Sequence, residues 1–179
     1  TGLGQPRSAT AAATPGPSAP ATTPLRTTAP PVPSPPPGMR LHGDPSGFRI
    51  AVPQGWEVSY AQHRTIFTGP DGVRLMIDRT PQPTGDPVRN WLRVEQSVRA
   101  TKRLPRYERI ALTRVRTPIG EAADWEFTYG RGTKYHVRDR GIIAADGQDY
   151  ALYLRAPSSA WKSAERRWDE IADSFIPAS

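Results

Sequence analysis

From Gly47 onward, apolar and polar positions alternate. Phe48, Ile50 and Val52 fall on one side of an extended chain and Arg49 and Ala51 on the other, before Pro53-Gln54-Gly55 turns it. Trp56 to Gln62 and Arg64 to Thr68 read as two more short strands. Gly69-Pro70-Asp71-Gly72 reads as a hairpin turn, because Pro presets φ and Gly accepts positive φ. Val73, Leu75 and Ile77 then share one face of a fourth strand, and Thr80 to Gly85 is a Pro-rich loop.

The period changes at Asp86-Pro87, an N-cap followed by a proline suited to the first helical turn. Trp91, Val94, Val98 and Thr101 form one apolar stripe of a helix that Pro105 ends. Strands are predicted at Ile110 to Val115, Ala122 to Tyr129, Lys134 to Ile143 and Tyr150 to Arg155. Trp161, Ala164, Trp168, Ile171 and Phe175 mark a closing amphipathic helix stopped by Pro177. The order predicts an α+β fold: an antiparallel sheet of about six to eight strands flanked by two helices.

Two hairpins allow a register to be predicted. A loop at Gly130-Arg131-Gly132 sets Trp125 against Val137 and Phe127 against Tyr135, with Asp124 against Arg138 and Glu126 against His136 on the other face. The same parity puts Asp139 on the apolar face. A bulge that turns it outward is the expected solution, and a buried carboxylate paired with an arginine is the alternative. Asp146-Gly147 then reads as a two-residue turn with Ile143 opposite Tyr150.

Composition divides the chain. Residues 1–38 hold 11 of the 21 prolines, and no acidic residue or Phe, Trp or Tyr occurs before Asp44. Such a segment cannot build a core and favours polyproline II, so it reads as a spacer; a PxxP ligand is the rival reading. The predicted organisation is a linker over 1–38 and a globular domain over 39–179. The chain begins Thr1-Gly2-Leu3 with no initiator Met or signal peptide, as expected of a mature form or an excised fragment. No apolar run reaches the length of a membrane span, so any membrane attachment is expected from an upstream segment.

The net charge of +7 is spread among interleaved acids, and its densest stretch is Arg99, Lys102, Arg103, Arg106 and Arg109. A solvated helix end is the simpler account, and an anion-binding patch the other. Nucleic acid is not expected, because Trp91, Trp125, Trp161 and Trp168 fall on predicted core faces. Without cysteine, and with His42, His63 and His136 far apart, no metal site or cofactor is predicted. No G-x-S-x-G or S-x-x-K frames a nucleophile, and no catalytic residue is assigned. Asp124 and Glu126 have the spacing of a glycosidase pair, but each has a predicted cationic partner. For ligand binding, the candidates are Asp78, Arg79 and Trp91 between the first helix and the sheet, and Tyr153 with Arg155 on an exposed face.

Gly47-Phe48-Arg49-Ile50-Ala51-Val52-Pro53-Gln54-Gly55-Trp56 resembles the opening strand and turn of actinobacterial extracytoplasmic domains at the C-terminal end of receptor-type serine/threonine protein kinases. Asp86-Pro87 with Trp91, Glu121 to Phe127, Tyr150 to Tyr153 and Ser174-Phe175 are similar too, so the likeness spans residues 47 to 177. The resemblance implies a Mog1/PsbP/LpqN-like sandwich at the cell surface, tethered through the Pro-rich linker to a membrane helix and a cytoplasmic kinase. None of the kinase motifs occurs in this chain. The implied role is a non-catalytic sensor for an envelope ligand or protein, with self-association as a further expectation. The alternatives are a secreted or lipid-anchored LpqN/PsbP-type binding protein, a glycan-modifying enzyme, and a basic surface for anionic polymers.

Overall fold

A computed structural model describes residues Ser34–Ser179. The predicted linker therefore lies almost wholly outside the described residues. An antiparallel pair comes first, β1 (Met39–Gly43) with β2 (Arg49–Pro53). Next come β3 (Glu57–Ala61), β4 (Arg64–Thr68) and β5 (Arg74–Asp78), with a 3-10 turn at Pro70–Gly72. α1 (Pro87–Thr101) precedes four long strands: β6 (Glu108–Thr117), β7 (Gly120–Tyr129), β8 (Tyr135–Ala144) and β9 (Asp149–Pro157). The closing helix is broken into α2 (Trp161–Glu165) and α3 (Trp168–Asp173). The main sheet has seven antiparallel strands in the order β3-β4-β5-β9-β8-β7-β6.

The sheet separates two cores. One face, with Phe67, Leu75, Ile77, Leu152 and Leu154, packs on β2, α2 and α3 through Ile50, Trp161 and Trp168, with Phe48 and Phe175 from the flanking chain. The other face, with Ala123, Trp125, Phe127 and Val137, is covered by α1 through Trp91 and Val98. α1 begins as predicted: Asp86 caps it by accepting from the N–H groups of Val88 (2.9 Å) and Arg89 (3.2 Å). Lys102, in the left-handed conformation, closes it.

The structure corrects four expectations. β1 was not foreseen; it binds β2 from Met39↔Pro53 to Gly43↔Arg49. The β7–β8 pairing slides by two residues, so Trp125 faces Asp139, Phe127 faces Val137, Asp124 faces Arg140 and Glu126 faces Arg138. The predicted Asp124–Arg138 pair is thus replaced by Asp124–Arg140. His136, Arg138 and Arg140 share one face of β8, so both registers pair acids with bases, and a two-residue slide keeps every side chain on its face. The β8–β9 pairing is off by one, with Ile143 facing Asp149 and Ile142 facing Tyr150. The Ala144 N–H reaches the Gln148 carbonyl at 2.8 Å, which makes the loop three residues long with Gly147 at φ +86°. Finally, β8 runs through Asp139 without a bulge.

Candidate functional site

The α1-side face of the sheet can be read as three rows across the strands. The middle row runs Ser59, Ile66, Met76, Tyr153, Asp139, Trp125, Leu112. On one side lie Glu57, Thr68, Arg74, Arg155, Val137 and Phe127, and on the other Ala61, Arg64, Asp78, Ala151, Gly141 and Ala123. α1 packs on β6, β7 and β8. The β3–β4–β5–β9 half of this face stays open, with Ile66, Met76, Tyr153 and Arg155 half-buried and Arg64, Thr68 and Arg74 exposed.

Four of the five candidate ligand residues meet on this face. Trp91 docks α1 at its covered edge, where the indole Nε1–H donates to the Ala123 carbonyl at 2.9 Å. Its ring lies so close over Gly141 that a Cβ there would come within 3.0 Å of three ring atoms. Asp78 accepts from Arg64 Nε (2.8 Å) and from the hydroxyl (2.6 Å) and N–H (2.8 Å) of Thr80. Burial works to raise its carboxyl, but those donors outweigh it and hold Asp78 below its ordinary range. The Arg155 guanidinium lies 4.5 Å over the Tyr135 ring, with Nη1 3.5 Å from the Tyr129 hydroxyl. Burial and the neighbouring Tyr129 phenol push the Tyr153 phenol well up. Arg79 departs from the group: it follows Asp78 with opposite parity, and its Nη2 reaches the Gln62 carbonyl at 3.5 Å.

Asp139 is neither turned outward nor paired with an arginine. It is buried between Tyr153 and Trp125, and its Oδ1 has no hydrogen-bond partner. Burial, followed by the charges of Asp78 and Asp124, raises its carboxyl well above the usual range.

Between α1 and the sheet, Gln82, Asn90, Trp91, Gly141 and Ala151 line a narrow cleft with a cavity volume of ≈ 20 Å³. That lies below the range of ordinary small-molecule pockets.

The other predicted pairs belong to the opposite face and bind elements together. Arg140 holds Asp124 through two bonds of 2.7 and 2.9 Å. Glu126 accepts from Arg138 (2.8 Å) and lies 2.7 Å from His136, whose ring stacks on Trp161 at 3.9 Å. Arg138 also donates to Glu165 at 3.0 Å and so ties α2 to the sheet. Glu126 is partly buried, which favours its neutral form, yet Arg138 and His136 hold its carboxyl below the ordinary range. The possible glycosidase pair is thus fully engaged by cations.

Sequence reasoning missed Glu95, buried on α1, which accepts from Arg99 (3.1 Å), Arg109 (3.0 Å) and the Tyr107 hydroxyl (2.7 Å). The arginine-rich stretch at and beyond the end of α1 therefore converges in part on one buried acid. Glu95 falls one position beyond Val94 in the apolar stripe, and that was its signal.

A family described as "Serine/threonine kinase C-terminal domain" matches residues 40–177. The chain belongs to that family. This kinase C-terminal domain has the Mog1/PsbP-like fold that its sequence implied. It is similar to cyanobacterial PsbP from Synechocystis sp. PCC 6803, with 14% identity, a TM-score of 0.60, and 86% of this chain and 99% of that one covered. The Ran-binding protein Mog1p of Saccharomyces cerevisiae has a TM-score of 0.60 at 8% identity, covering 77% and 94%. LpqN of Mycobacterium tuberculosis, involved in cell envelope biogenesis, has a TM-score of 0.54 at 16% identity, covering 79% and 91%. At such identities these likenesses show the fold alone. No curated protein matches the sequence.

Proposed function

We propose that this kinase C-terminal domain is a non-catalytic, extracytoplasmic sensor of a membrane-anchored serine/threonine kinase, binding an envelope ligand on the open half of the α1-side face. Family membership supplies the kinase context. The Pro/Thr/Ala-rich composition of residues 1–38 suits a spacer, which transmits proximity better than torque. No helix of the described residues is long and apolar enough to cross a membrane.

The half-open face carries the binding reading. It joins an apolar middle row to charged flanking rows, and the same row contains a buried acid with no partner. Uncompensated groups of this kind concentrate where binding, rather than stability, selects the residue.

The test is a thermal-shift screen of the chain against muropeptides, teichoic-acid fragments, lipid headgroups and common metabolites. A ligand of the folded state raises Tm with concentration, by about 2.7 kcal/mol of stability at a hundred times Kd. A saturable hit whose shift disappears in Tyr153→Ala supports the reading. A hit indifferent to Tyr153 places binding elsewhere, and uniform silence turns the reading towards a protein partner.

A second reading is a secreted or lipid-anchored envelope binding protein of the fold shared with LpqN, a protein involved in cell envelope biogenesis. The sequence upstream of Thr1 in the gene decides between them: a transmembrane helix supports the kinase, and a lipobox cysteine the anchor.

A further inference from the structure

The two ends of the open face differ in charge. At one end, Arg64 is neutralised by Asp78 at 2.8 Å. At the other, Arg74 and Arg155 stand directly opposite each other on β5 and β9. Like charges at directly opposed positions destabilise a strand pair. Among the described residues, neither arginine has a carboxylate partner, whereas Arg64 at the other end of the same face has one. Glu57, the acid of the same row, lies two strands from Arg74 and forms no ion pair with it. Arg155 is held in orientation by the Tyr135 ring, and the exposed Thr68 stands opposite Arg74.

One guanidinium fork fills a carboxylate, whereas two forks with neighbouring hydroxyls call for a group with three or more oxygens. Beside the arginines, Tyr153, Met76 and Ile66 form a flat, half-buried apolar strip on which the CH face of a sugar ring can lie.

We propose that Arg74 and Arg155 anchor the phosphate of a sugar phosphate whose ring lies along Tyr153, Met76 and Ile66. This rests on the reading of the open face as the ligand site and names the ligand class for it.

The experiment is a ¹H–¹⁵N NMR titration of the 179-residue chain at constant ionic strength, with glucose 1-phosphate, inorganic phosphate, glucose and acetate as probes. Saturable shifts at Arg74, Arg155 and Tyr153 are expected with both phosphates, tighter for the sugar phosphate, and none with acetate. Arg74 is exposed, so Arg74→Gln keeps the fold and is expected to weaken glucose 1-phosphate about tenfold or more. Arg155→Gln is expected to weaken it similarly, with an unchanged amide spectrum elsewhere as the fold control. Equal response to acetate and phosphate, or affinity indifferent to Arg74→Gln, overturns the proposal. Binding to phosphatidylglycerol vesicles without binding to glucose 1-phosphate also overturns it, in favour of a membrane surface. A ligand from the wider screen that shifts Tyr153 and Met76 but not Arg74 removes the phosphate inference alone. If no ligand or probe shifts the face, both readings fall.

Discussion

Replacing Asp139 with Asn tests whether the sheet carries a neutral acid at neutral pH. Asp139 lies between Tyr153 and Trp125 with Oδ1 unpartnered, and burial with the charges of Asp78 and Asp124 raises its carboxyl. The unfolded chain ionises this group at the ordinary carboxylate value, while the folded chain holds its proton to higher pH. The contribution of Asp139 to stability is therefore full below the unfolded value and declines as pH rises above it, until pH passes the folded one. The slope is at most about 1.4 kcal/mol per pH unit, or about 4 °C in Tm for a domain of this size. Asn cannot ionise, so Asp139→Asn removes the slope. The amide also meets a site with few partners, which adds a roughly constant offset of about 1 kcal/mol. The assay is Tm of both proteins from pH 4 to pH 8 in constant-ionic-strength buffers. The variant is expected to gain on the wild type with every unit of pH. Parallel curves would mean that Asp139 ionises normally in the fold, and the argument from its burial would fail.

Gly141→Ala forces a methyl group to within 3.0 Å of the Trp91 ring, which is expected to cost about 1–3 kcal/mol and loosen α1; an unchanged urea midpoint with the Trp91 indole N–H still protected would refute it. Arg138→Met removes the donor shared by Glu126 and Glu165 and is expected to cost about 2 kcal/mol at neutral pH. Because Glu126 is held below its ordinary range, its share of that stability is present above the unfolded value and lost as pH falls through the folded one. The gap between Arg138→Met and wild type therefore narrows in acid, and a gap independent of pH would refute the pairing.

The architecture was legible because parity and period need only local sequence. Phe48, Ile50 and Val52, and then Leu75 and Ile77, mark buried faces by alternation alone, and Asp86-Pro87 announces α1 to the residue. Register was not legible for a matching reason: parity is blind to a slide of two. With His136, Arg138 and Arg140 on one face, charge matching was blind as well. Only the Gly147 loop shifted a pairing by one, because the third loop residue in the left-handed conformation cannot be told from a two-residue Asp-Gly turn in the sequence. The candidate site was legible in pieces. Tyr153 and Arg155 were found by facing away from Leu152 and Leu154. Arg74 was missed because only the β5–β9 pairing brings it opposite Arg155.

The two faces of the sheet treat charge differently, and that difference is the strongest pointer to function. On the face packed by α2 and α3, Asp124 and Glu126 are each held by an arginine, and Arg138 reaches on to Glu165. These ion pairs fasten one element to another, although Thr128 Oγ1 and Trp168 Nε1 on the same side are buried without a partner. On the α1-side face, a buried acid without a partner and two arginines facing each other occupy adjacent rows, within the three neighbouring strands β5, β9 and β8. An acid buried without a partner and like charges directly opposed are each destabilising where they stand. The violations lie at the boundary where α1 ends its coverage and the face opens. A fold that needed only to be stable would place hydrophobic or paired residues at those positions. Their concentration beside Tyr153 is the reason for proposing this face as the ligand site: the two arginines leave positive charge that an anionic ligand would compensate, and Asp139 leaves an acid without a partner.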